Sequence, residues 1–452
     1  MSPSIAVVAY AFVILTLFLL HRDSNPEVSR ALWIPVVWLS ISASRQVSQW
    51  LGGVALEAPT ETAFVEGNPL DAFVFAALLV AGLVVLIGRR RRVSTLLRAN
   101  GPLLVFLLYC LLSVQWSDYP AVAFRRWTKA IGDLVMILIV VTDPEPTAAV
   151  KRVLARCGFV LIPLSILLIR HFPDLGRTYN SWNGMPYNIG VATGKNGLGY
   201  VCLLFGLGSL WRVLELFRTW RLVDLFRARK SSLKAGTLIA HVAILVMTGW
   251  LFWMADSATS LACFLLGGGL IALTRYPALV RRPAAVHLLI GVLLSLTVYG
   301  LLLNPGAGLV EAVGRDSTLT GRTAIWNQVL GMTVNPLFGA GYESFWLGER
   351  LEKIWQTNPE HPNQAHNGYL EVFLDLGLLG VTLLGVVMAW GYRSVVRALR
   401  WDPEAAGLKL AFFVVAAIYN LTEHAFRELH PVWIAFLLAV TVVSGAPQRK
   451  AE

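Results

Sequence analysis

One stretch of this chain gathers residue types suited to acid–base and anion chemistry. From Asn304 to about Gln364 the sequence is polar, charged and rich in glycine and proline. Within this stretch Arg322 precedes a helical run, and His366 lies just before the next apolar segment. Arginine presents a rigid fork to phosphate oxygens, and histidine can exchange a proton near neutral pH. On residue types alone, a solvated histidine or a transporter vestibule would fit as well.

Metal and serine chemistry find little support in the same stretch. His361 and His366 stand five residues apart, with no third ligand at a spacing typical of zinc sites. No G-x-S-x-G motif for a nucleophilic serine occurs. We therefore expect neither a bound metal nor another cofactor.

A second group of cations lies at one end of an apolar helix. Arg125, Arg126 and Lys129 occur in Y-P-A-V-A-F-R-R-W-T-K-A-I-G-D, with Arg125 and Lys129 on one helical face. They could bind an anion at the membrane surface. They could equally snorkel to the interface, with Lys129 paired to Asp133.

The segment A-T-G-K-N-G-L-G-Y offers a third candidate for anion binding. It places Lys195 and Asn196 at a helix N-terminus, where unpaired N–H groups and the helix dipole favour an anion. It departs from a Walker A loop, because Gly190 and Gly194 are too close and Asn196 replaces Ser or Thr. An ordinary capped helix start explains it equally well. A short turn holding Glu423 and Arg427 at i,i+4 is expected to be structural.

The rest of the chain predicts the scaffold that positions these residues. Of its 452 residues 56% are hydrophobic and only 14% are charged, and apolar runs near 20 residues recur. This composition predicts an all-α bundle of about 12–13 transmembrane helices. The candidate spans are 5–20, 31–50, 70–88, 102–116, 121–141, 157–170, 196–214, 237–254, 258–274, 285–303, 368–391, 408–421 and 431–445.

The charge distribution predicts the orientation in the membrane. Most of the 38 Lys and Arg residues fall in one set of alternate connections, which we assign to the cytoplasm. The large loop then faces the other side. Because the net charge of +11 follows this pattern, it does not indicate nucleic-acid binding. We divide the chain into transmembrane helices at 1–303, the large loop at 304–367 and further transmembrane helices at 368–452.

Three motifs in and beside the large loop resemble those of a known family. They read T-L-T-G-R-T-A-I-W, then N-P-L-F-G-A-G-Y-E-S-F-W, then A-H-N-G-Y-L-E-V-F-L-D-L-G-L-L-G. In this order they closely resemble the O-antigen ligase and polysaccharide polymerase family (Wzy/WaaL type). The similarity is greatest to its ExoQ-type exopolysaccharide branch. It covers about residues 238–380, and the T-G-K-N-G-L-G segment adds to it.

The resemblance implies a GT-C-like membrane glycosyltransferase in the bacterial inner membrane, with a catalytic periplasmic loop. Its donor would be a glycan on undecaprenyl diphosphate, and its acceptor another glycan or lipid A-core. The family's loop arginine and catalytic histidine correspond to Arg322 and His366. Outer cations bind the diphosphate in this family, and the matching candidates here are Arg125, Arg126, Lys195 and Asn196. Chain-length regulators and a flippase are further candidate partners.

We expect a polymerase of lipid-linked repeats, and two alternatives stay open. A ligase that moves finished glycan onto lipid A-core or protein would carry the same motifs. A flippase for lipid-linked glycan would instead need charged residues along a path through the spans. Arg45 and Asp133 are the main charges within the predicted spans, and they do not outline such a path. The sequence therefore favours an enzyme.

Overall fold

The described part of the chain is mostly helical. The computed structural model describes residues 2–21, 28–52, 65–179, 184–219, 228–280, 282–302, 319–333, 335–358 and 361–442. The first helices are α1 (Pro3–Leu20), α2 (Trp33–Ser42), α3 (Val47–Leu51), α4 (Pro69–Gly88), α5 (Arg90–Ala99), α6 (Gly101–Ser113), α7 (Pro120–Val141), α8 (Pro146–His171), α9 (Pro173–Gly176) and α10 (Lys195–Thr219).

The helices continue beyond the middle of the chain. They are α11 (Ala228–Ala255), α12 (Ala258–Leu273), α13 (Pro277–Val280), α14 (Pro283–Leu302), α15 (Leu319–Gly331), α16 (Glu349–Thr357), α17 (Gly368–Ala398), α18 (Pro403–Tyr419) and α19 (Pro431–Val440). Two short antiparallel strands, β1 (Arg177–Tyr179) and β2 (Pro186–Asn188), place Arg177 opposite Asn188. The first part of the predicted loop, residues 304–318, lies outside the described residues, as does residue 303.

Local sequence explains where many of these helices begin. Proline occupies one of the first two positions of α1, α4, α6, α8, α18 and α19. At that position its missing N–H costs nothing, because the first N–H groups of a helix have no partner within it. Asn68, Asn367 and Asp402 cap α4, α17 and α18 with side-chain oxygens that accept backbone N–H groups.

The apolar helices confirm the predicted all-α polytopic membrane protein. By length and composition, six described helices could each cross a bilayer: α1, α4, α8, α10, α11 and α17. A seventh forms if α5 and α6, which meet at 87°, make up one broken span. Helix α7 is 22 residues long but carries Arg125, Arg126, Lys129 and Asp133. It therefore lies in a predicted span without being uniformly apolar.

The predicted span over 31–50 is broken in the structure. Helix α2 ends at Ser42 and α3 starts at Val47, and the buried side chain of Arg45 lies in the gap. Arg45 donates to the carbonyls of Gly190 (3.1 Å) and Ala192 (3.3 Å), and also to that of Leu175. The free-energy cost of burying a guanidinium is lower when carbonyl oxygens accept hydrogen bonds from its N–H groups. The break therefore serves to fix the segment before α10.

The helices form two compact units. Unit 1 comprises Met1–Ala58, Asn68–Val93 and Leu134–Ala272. In it α8 packs against α1, α10 and α11. Unit 2 comprises Pro59–Gly67, Ser94–Asp133 and Leu273–Glu452. There α17 packs against α6, α18 and α19.

Helix α17 has a sharp break near its start. Gly377 has φ 65° and ψ −168°, a backbone conformation that is essentially restricted to glycine. A Cβ on Gly377 would overlap the backbone of Leu337, and a Cβ on Gly339 would overlap the backbone of Asp375. The two glycines therefore let an extended loop segment lie directly against the broken helix.

Candidate active site

The N-P-L-F-G-A-G-Y motif is held against the break of α17 by main-chain hydrogen bonds. The N–H of Ala340 donates to the carbonyl of Leu374, and the N–H of Leu378 donates to the carbonyl of Pro336, each at 2.9 Å. Asn335 starts the turn, because its side-chain oxygen accepts the N–H of Leu337 at 2.9 Å. The motif thus works as a backbone clamp that replaces the hydrogen bonds lost where the helix breaks.

A buried carboxylate at the start of α17 holds the residues that follow the clamp. One oxygen of Asp375 accepts the backbone N–H groups of Ser344 and Phe345, both at 2.9 Å. The hydroxyls of Ser344 and Ser117 lie 2.7 Å apart. Asp375 is only 5% exposed, so each of these bonds is made away from water. The E-S-F-W sequence is thereby fixed to both α17 and the segment before α7.

A second buried acid, Glu371, lies one helical turn before Asp375 in α17 and holds two further parts of the loop. Glu371 accepts the indole N–H of Trp346 at 2.7 Å and the backbone N–H of Ala365. The carbonyl of Ala365 accepts the indole N–H of Trp326 at 2.7 Å. Both main-chain groups of Ala365 are therefore held. This sets the position of the next residue, His366.

Arg322 and His366 meet at the carboxylate of Glu423. The guanidinium of Arg322 donates to the carbonyl of Thr422 at 2.7 Å, and lies 3.7 Å from Oε1 of Glu423. Nδ1 of His366 lies 3.4 Å from Oε2 of Glu423. The histidine side chain is 30% exposed, whereas that of Glu423 is 7% exposed. A buried acid therefore connects a partly exposed base to an arginine.

The loop that carries Glu423 is itself tied to the start of α17. The N–H of Gly368 donates to the carbonyls of Asn420 (2.8 Å) and Glu423 (3.0 Å). The side-chain oxygen of Asn420 accepts the N–H groups of Ala425 and Phe426 at 2.8 and 2.9 Å. Only glycine fits at position 368, because a Cβ there would overlap the Asn420 amide. The H-N-G-Y motif thus brings His366 and Glu423 together.

The backbone at His366 is in the left-handed region. Its φ is 52°, a conformation that costs most side chains free energy and is often found at functional sites. The next residue, Asn367, is extended and caps α17 by accepting the N–H groups of Tyr369 and Leu370 at 3.1 Å. The sharp turn therefore aims the imidazole at Glu423 before the helix begins.

The buried side chains of Glu343 and His424 lie close to each other beside these residues. The pKa of Glu343 is raised to about 8, first by burial and then by the neighbouring Glu428, while Arg427 and Arg126 act against this shift. Burial also lowers the pKa of His424 well below its usual value, with Arg427 adding to the effect. Nε2 of His424 lies 3.7 Å from Glu343 Oε1. At neutral pH the two form a contact between uncharged groups.

The two arginines of α7 differ in their surroundings. Arg125 is exposed and donates to the carbonyl of Val65, whereas Arg126 is partly buried and donates to the carbonyl of Glu343. Arg126 therefore holds the segment that Asp375 also fixes. Among the described contacts, this one joins a predicted anion-binding residue to the clamped loop.

Lys195 and Asn196 are the first residues of α10, as predicted, and belong to unit 1. Nζ of Lys195 lies 4.6 Å from the centre of the Tyr187 ring. Arg322, His366, Arg125 and Arg126 belong to unit 2. The structure thus brings Arg322 and His366 together. The contact described for Lys195 lies within unit 1, to which Asn196 also belongs.

Three acidic residues of the site were not predicted from the sequence. Glu423 was expected to be a turn residue, and Glu371 and Asp375 lay inside an apolar span. The available signal was their spacing, because acids four residues apart at the start of a span share one helical face. Acids rarely lie in membrane helices without a structural or functional partner, which makes such a pair informative.

Comparison with known proteins agrees with the predicted resemblance. A family model described as O-antigen ligase matches residues 242–385. That region contains Arg322, His366, Glu371 and Asp375, and ends before Glu423. A protein named "Exopolysaccharide production protein ExoQ", from Rhizobium meliloti (strain 1021), is 25% identical over 344 residues. This alignment covers 72% of the present chain and 71% of that protein.

Proposed function

We propose that this membrane protein is a glycosyltransferase, because residues 242–385 match a family model described as O-antigen ligase. It would polymerise oligosaccharide repeats carried on undecaprenyl diphosphate. The reaction would take place on the periplasmic side of the bacterial inner membrane. Similarity to an exopolysaccharide production protein favours a polymerase that makes exopolysaccharide or O-antigen.

The observation that carries this proposal is the meeting of Arg322, His366 and Glu423. The two motif residues are 44 positions apart in the sequence, yet both lie within 4 Å of one carboxylate. Nδ1 of His366 faces that carboxylate. A proton held there leaves the lone pair of Nε2 as the acceptor for a second proton. The geometry supplies a base, its orienting acid and a neighbouring cation.

The proposed reaction needs these three roles. A hydroxyl oxygen of the acceptor sugar attacks the anomeric carbon of the donor, forming a new C–O bond. The bond between that carbon and the diphosphate oxygen breaks, and its electron pair leaves with undecaprenyl diphosphate. His366 accepts the hydroxyl proton through Nε2, and Glu423 stabilises the imidazolium that forms. Direct displacement inverts the anomeric centre.

The leaving diphosphate requires positive charge and hydrogen-bond donors. We assign Arg322 to this role because guanidinium groups match phosphate oxygens in geometry and keep their charge. Arg125, Arg126, Lys195 and Asn196 are further proposed contacts for the diphosphate. With cations in this role the reaction needs no metal, and we expect polymerisation to continue in the presence of EDTA.

A ligase is the second candidate, because the matching family model is described as O-antigen ligase. The same base and cations would serve when the acceptor is lipid A-core or a protein. The two activities differ in which glycan accumulates when the protein is missing. Cells lacking a polymerase would accumulate single lipid-linked repeats. Cells lacking a ligase would keep a full ladder on the lipid carrier.

The test is an electrophoretic separation of the carbohydrate from a strain lacking the gene, with the lipid-linked fraction analysed apart. We expect single repeats on the lipid and no ladder, and restoration of the ladder by the wild-type gene. Genes carrying Arg322→Ala or His366→Ala should restore nothing, whereas Lys353→Ala, an exposed cation of the same loop, should restore the ladder. Repeats confined to the cytoplasmic leaflet would instead indicate a flippase.

A further inference from the structure

A basic cavity lies far along α17 from the candidate active site. It has a volume of about 340 Å³ and is lined by His287, Arg393, Val396, Arg397 and Arg400. Arg393 and Arg397 lie one turn apart at the end of α17, Arg400 lies just beyond its last residue, and the histidine comes from α14. No carboxylate is among these lining residues. Three like charges around one concave surface repel each other unless an anion joins them.

The histidine of this cavity is held in place. Nδ1 of His287 lies 2.6 Å from the hydroxyl of Tyr392, a neighbour of Arg393 on α17. The imidazole therefore presents its other nitrogen from the opposite wall. Among described residues, no carboxylate forms an ion pair with the guanidinium groups of Arg393, Arg397 or Arg400. The positive charge of the cavity is thus not neutralised by those parts of the chain.

The length of α17 places this cavity at a membrane surface. Twenty residues separate Gly377 from Arg397, which corresponds to about 30 Å at the α-helical rise. The hydrocarbon core of a bilayer is about 30 Å thick. The cavity therefore lies at the opposite membrane face from His366 and Glu423. Trp390 and Trp401, with exposed fractions of 39% and 74%, flank it as interfacial aromatic residues do.

We propose that this cavity binds the phosphate of an anionic phospholipid headgroup. Basic pockets between transmembrane helices are suited to such headgroups, because arginine forks match phosphate oxygens while the acyl chains stay in the bilayer. Val396 supplies the apolar part of the wall. The phosphate chemistry follows from the cavity alone. Only the assignment to the cytoplasmic leaflet depends on the orientation proposed above.

Native mass spectrometry of the full-length protein in detergent tests this site. Phosphatidylglycerol is titrated as the probe, with phosphatidylcholine as the uncharged comparison lipid. The variant is Arg393→Gln combined with Arg397→Gln. The matched control is Arg90→Gln combined with Arg98→Gln, which removes the same charge from the exposed basic surface of α5. We expect phosphatidylglycerol to bind the cavity variant about 10- to 30-fold more weakly than the wild type and the control.

Two outcomes would overturn the proposal. Equal binding of phosphatidylglycerol by all three proteins, or equal weakening in both variants, would mean that the cavity is not a specific site. A further arm adds inorganic pyrophosphate at millimolar concentration. If pyrophosphate displaces the lipid and binds as tightly as the lipid does, the site takes a soluble phosphate compound, and the headgroup proposal is wrong. Retention of the lipid supports the headgroup.

Discussion

At the scale of single residues, Glu423 offers a direct test of how the histidine is oriented. Glu423→Gln keeps the shape of the side chain and removes the charge that faces His366 and Arg322. We expect kcat for polymerisation to fall about 10²- to 10⁴-fold, as in other sites where an orienting carboxylate is lost. KM for the lipid-linked donor should change far less, because Glu423 is not assigned to binding the donor.

A second variant, Glu423→Asp, distinguishes the loss of an orienting carboxylate from the loss of folded protein. Glu423→Asp keeps the charge and should recover part of the lost kcat. A protein that has simply misfolded would show no such recovery. Unchanged kcat in the glutamine variant would remove Glu423 from the mechanism.

Glu343 provides a prediction on stability and pH. Its pKa in the folded protein is about 8, whereas an unfolded glutamate titrates near 4.3. Between these values the folded state binds a proton that the unfolded state has lost, so stability falls as pH rises. The contribution of protonated Glu343 to the free energy of unfolding is complete below about pH 4 and is lost as the pH rises through about 8. His424, whose pKa is lowered, stays neutral above pH 7 and does not contribute there.

The measurement is the thermal midpoint of purified protein between pH 7 and pH 9. We expect the midpoint to decrease with pH in the wild type, and to decrease less in Glu343→Gln, which mimics the protonated acid. The comparison between the two proteins removes the contribution of other groups that titrate in this range. Identical slopes would show that Glu343 is ionised in the folded protein at neutral pH.

Prediction of the site from sequence depended on whether each residue type is diagnostic by itself. Arg322 and His366 were predicted because they occur in motifs that resemble a known family. Glu423 was not predicted, since its role depends on a contact made across 57 positions with His366. A glutamate in a short polar turn looks the same whether it faces water or a catalytic base. Only the fold distinguishes the two.

At the scale of secondary structure, the break of α17 depends on Gly377. Gly377→Ala should destabilise the protein by at least about 1–3 kcal/mol, because alanine does not adopt this backbone conformation without strain. Its Cβ would also overlap the Leu337 backbone. Gly385→Ala is the control, since Gly385 is an ordinary helical position of α17 with open space around its Cβ. Replacing that glycine should be neutral or slightly stabilising.

Thermal unfolding in detergent, together with polymerisation activity, measures the effect of both glycine variants. We expect Gly377→Ala to lower the midpoint and the activity together, because the clamp positions Glu371 and Asp375. Gly385→Ala should leave both unchanged. If the two variants behave alike, the break in α17 does not hold the loop as described.

The helices show which structural features follow from hydropathy and which do not. A described helix lies in each of the predicted spans, because apolar runs of this length have few alternatives in a membrane. The breaks at Arg45 and Gly377 were not predicted. Both breaks lie within apolar sequence that predicts an uninterrupted transmembrane helix. Each break is stabilised by hydrogen bonds with backbone carbonyl or N–H groups of distant segments. Such partners cannot be inferred from a local window.

At the scale of the whole molecule, the proposed orientation can be tested by labelling. The four native cysteines, Cys110, Cys157, Cys202 and Cys263, are all buried, so background labelling should be low. Lys353→Cys places a thiol on α16, where the lysine side chain is 60% exposed. Arg98→Cys places one on the basic helix α5, which we assign to the cytoplasm.

A membrane-impermeant maleimide should react with Lys353→Cys in spheroplasts, and with Arg98→Cys only after permeabilisation. The reason is the excess of basic residues in one set of connections, which keeps those connections in the cytoplasm. The reverse pattern of labelling would show that the protein has the opposite orientation. It would place the candidate site where a periplasmic polymerase could not use it.

The contacts around Gly368 also constrain the order in which the protein can mature. The ribosome completes the large loop before α17, and α17 before the segment that contains Asn420 and Glu423. The loop is therefore made while the main-chain partners of Pro336 and Ala340 are still missing. Arg322 and His366 acquire their shared carboxylate only when the segment between α18 and α19 is in place. The candidate site is therefore incomplete until the segment that contains Glu423 has been made and has folded against α17.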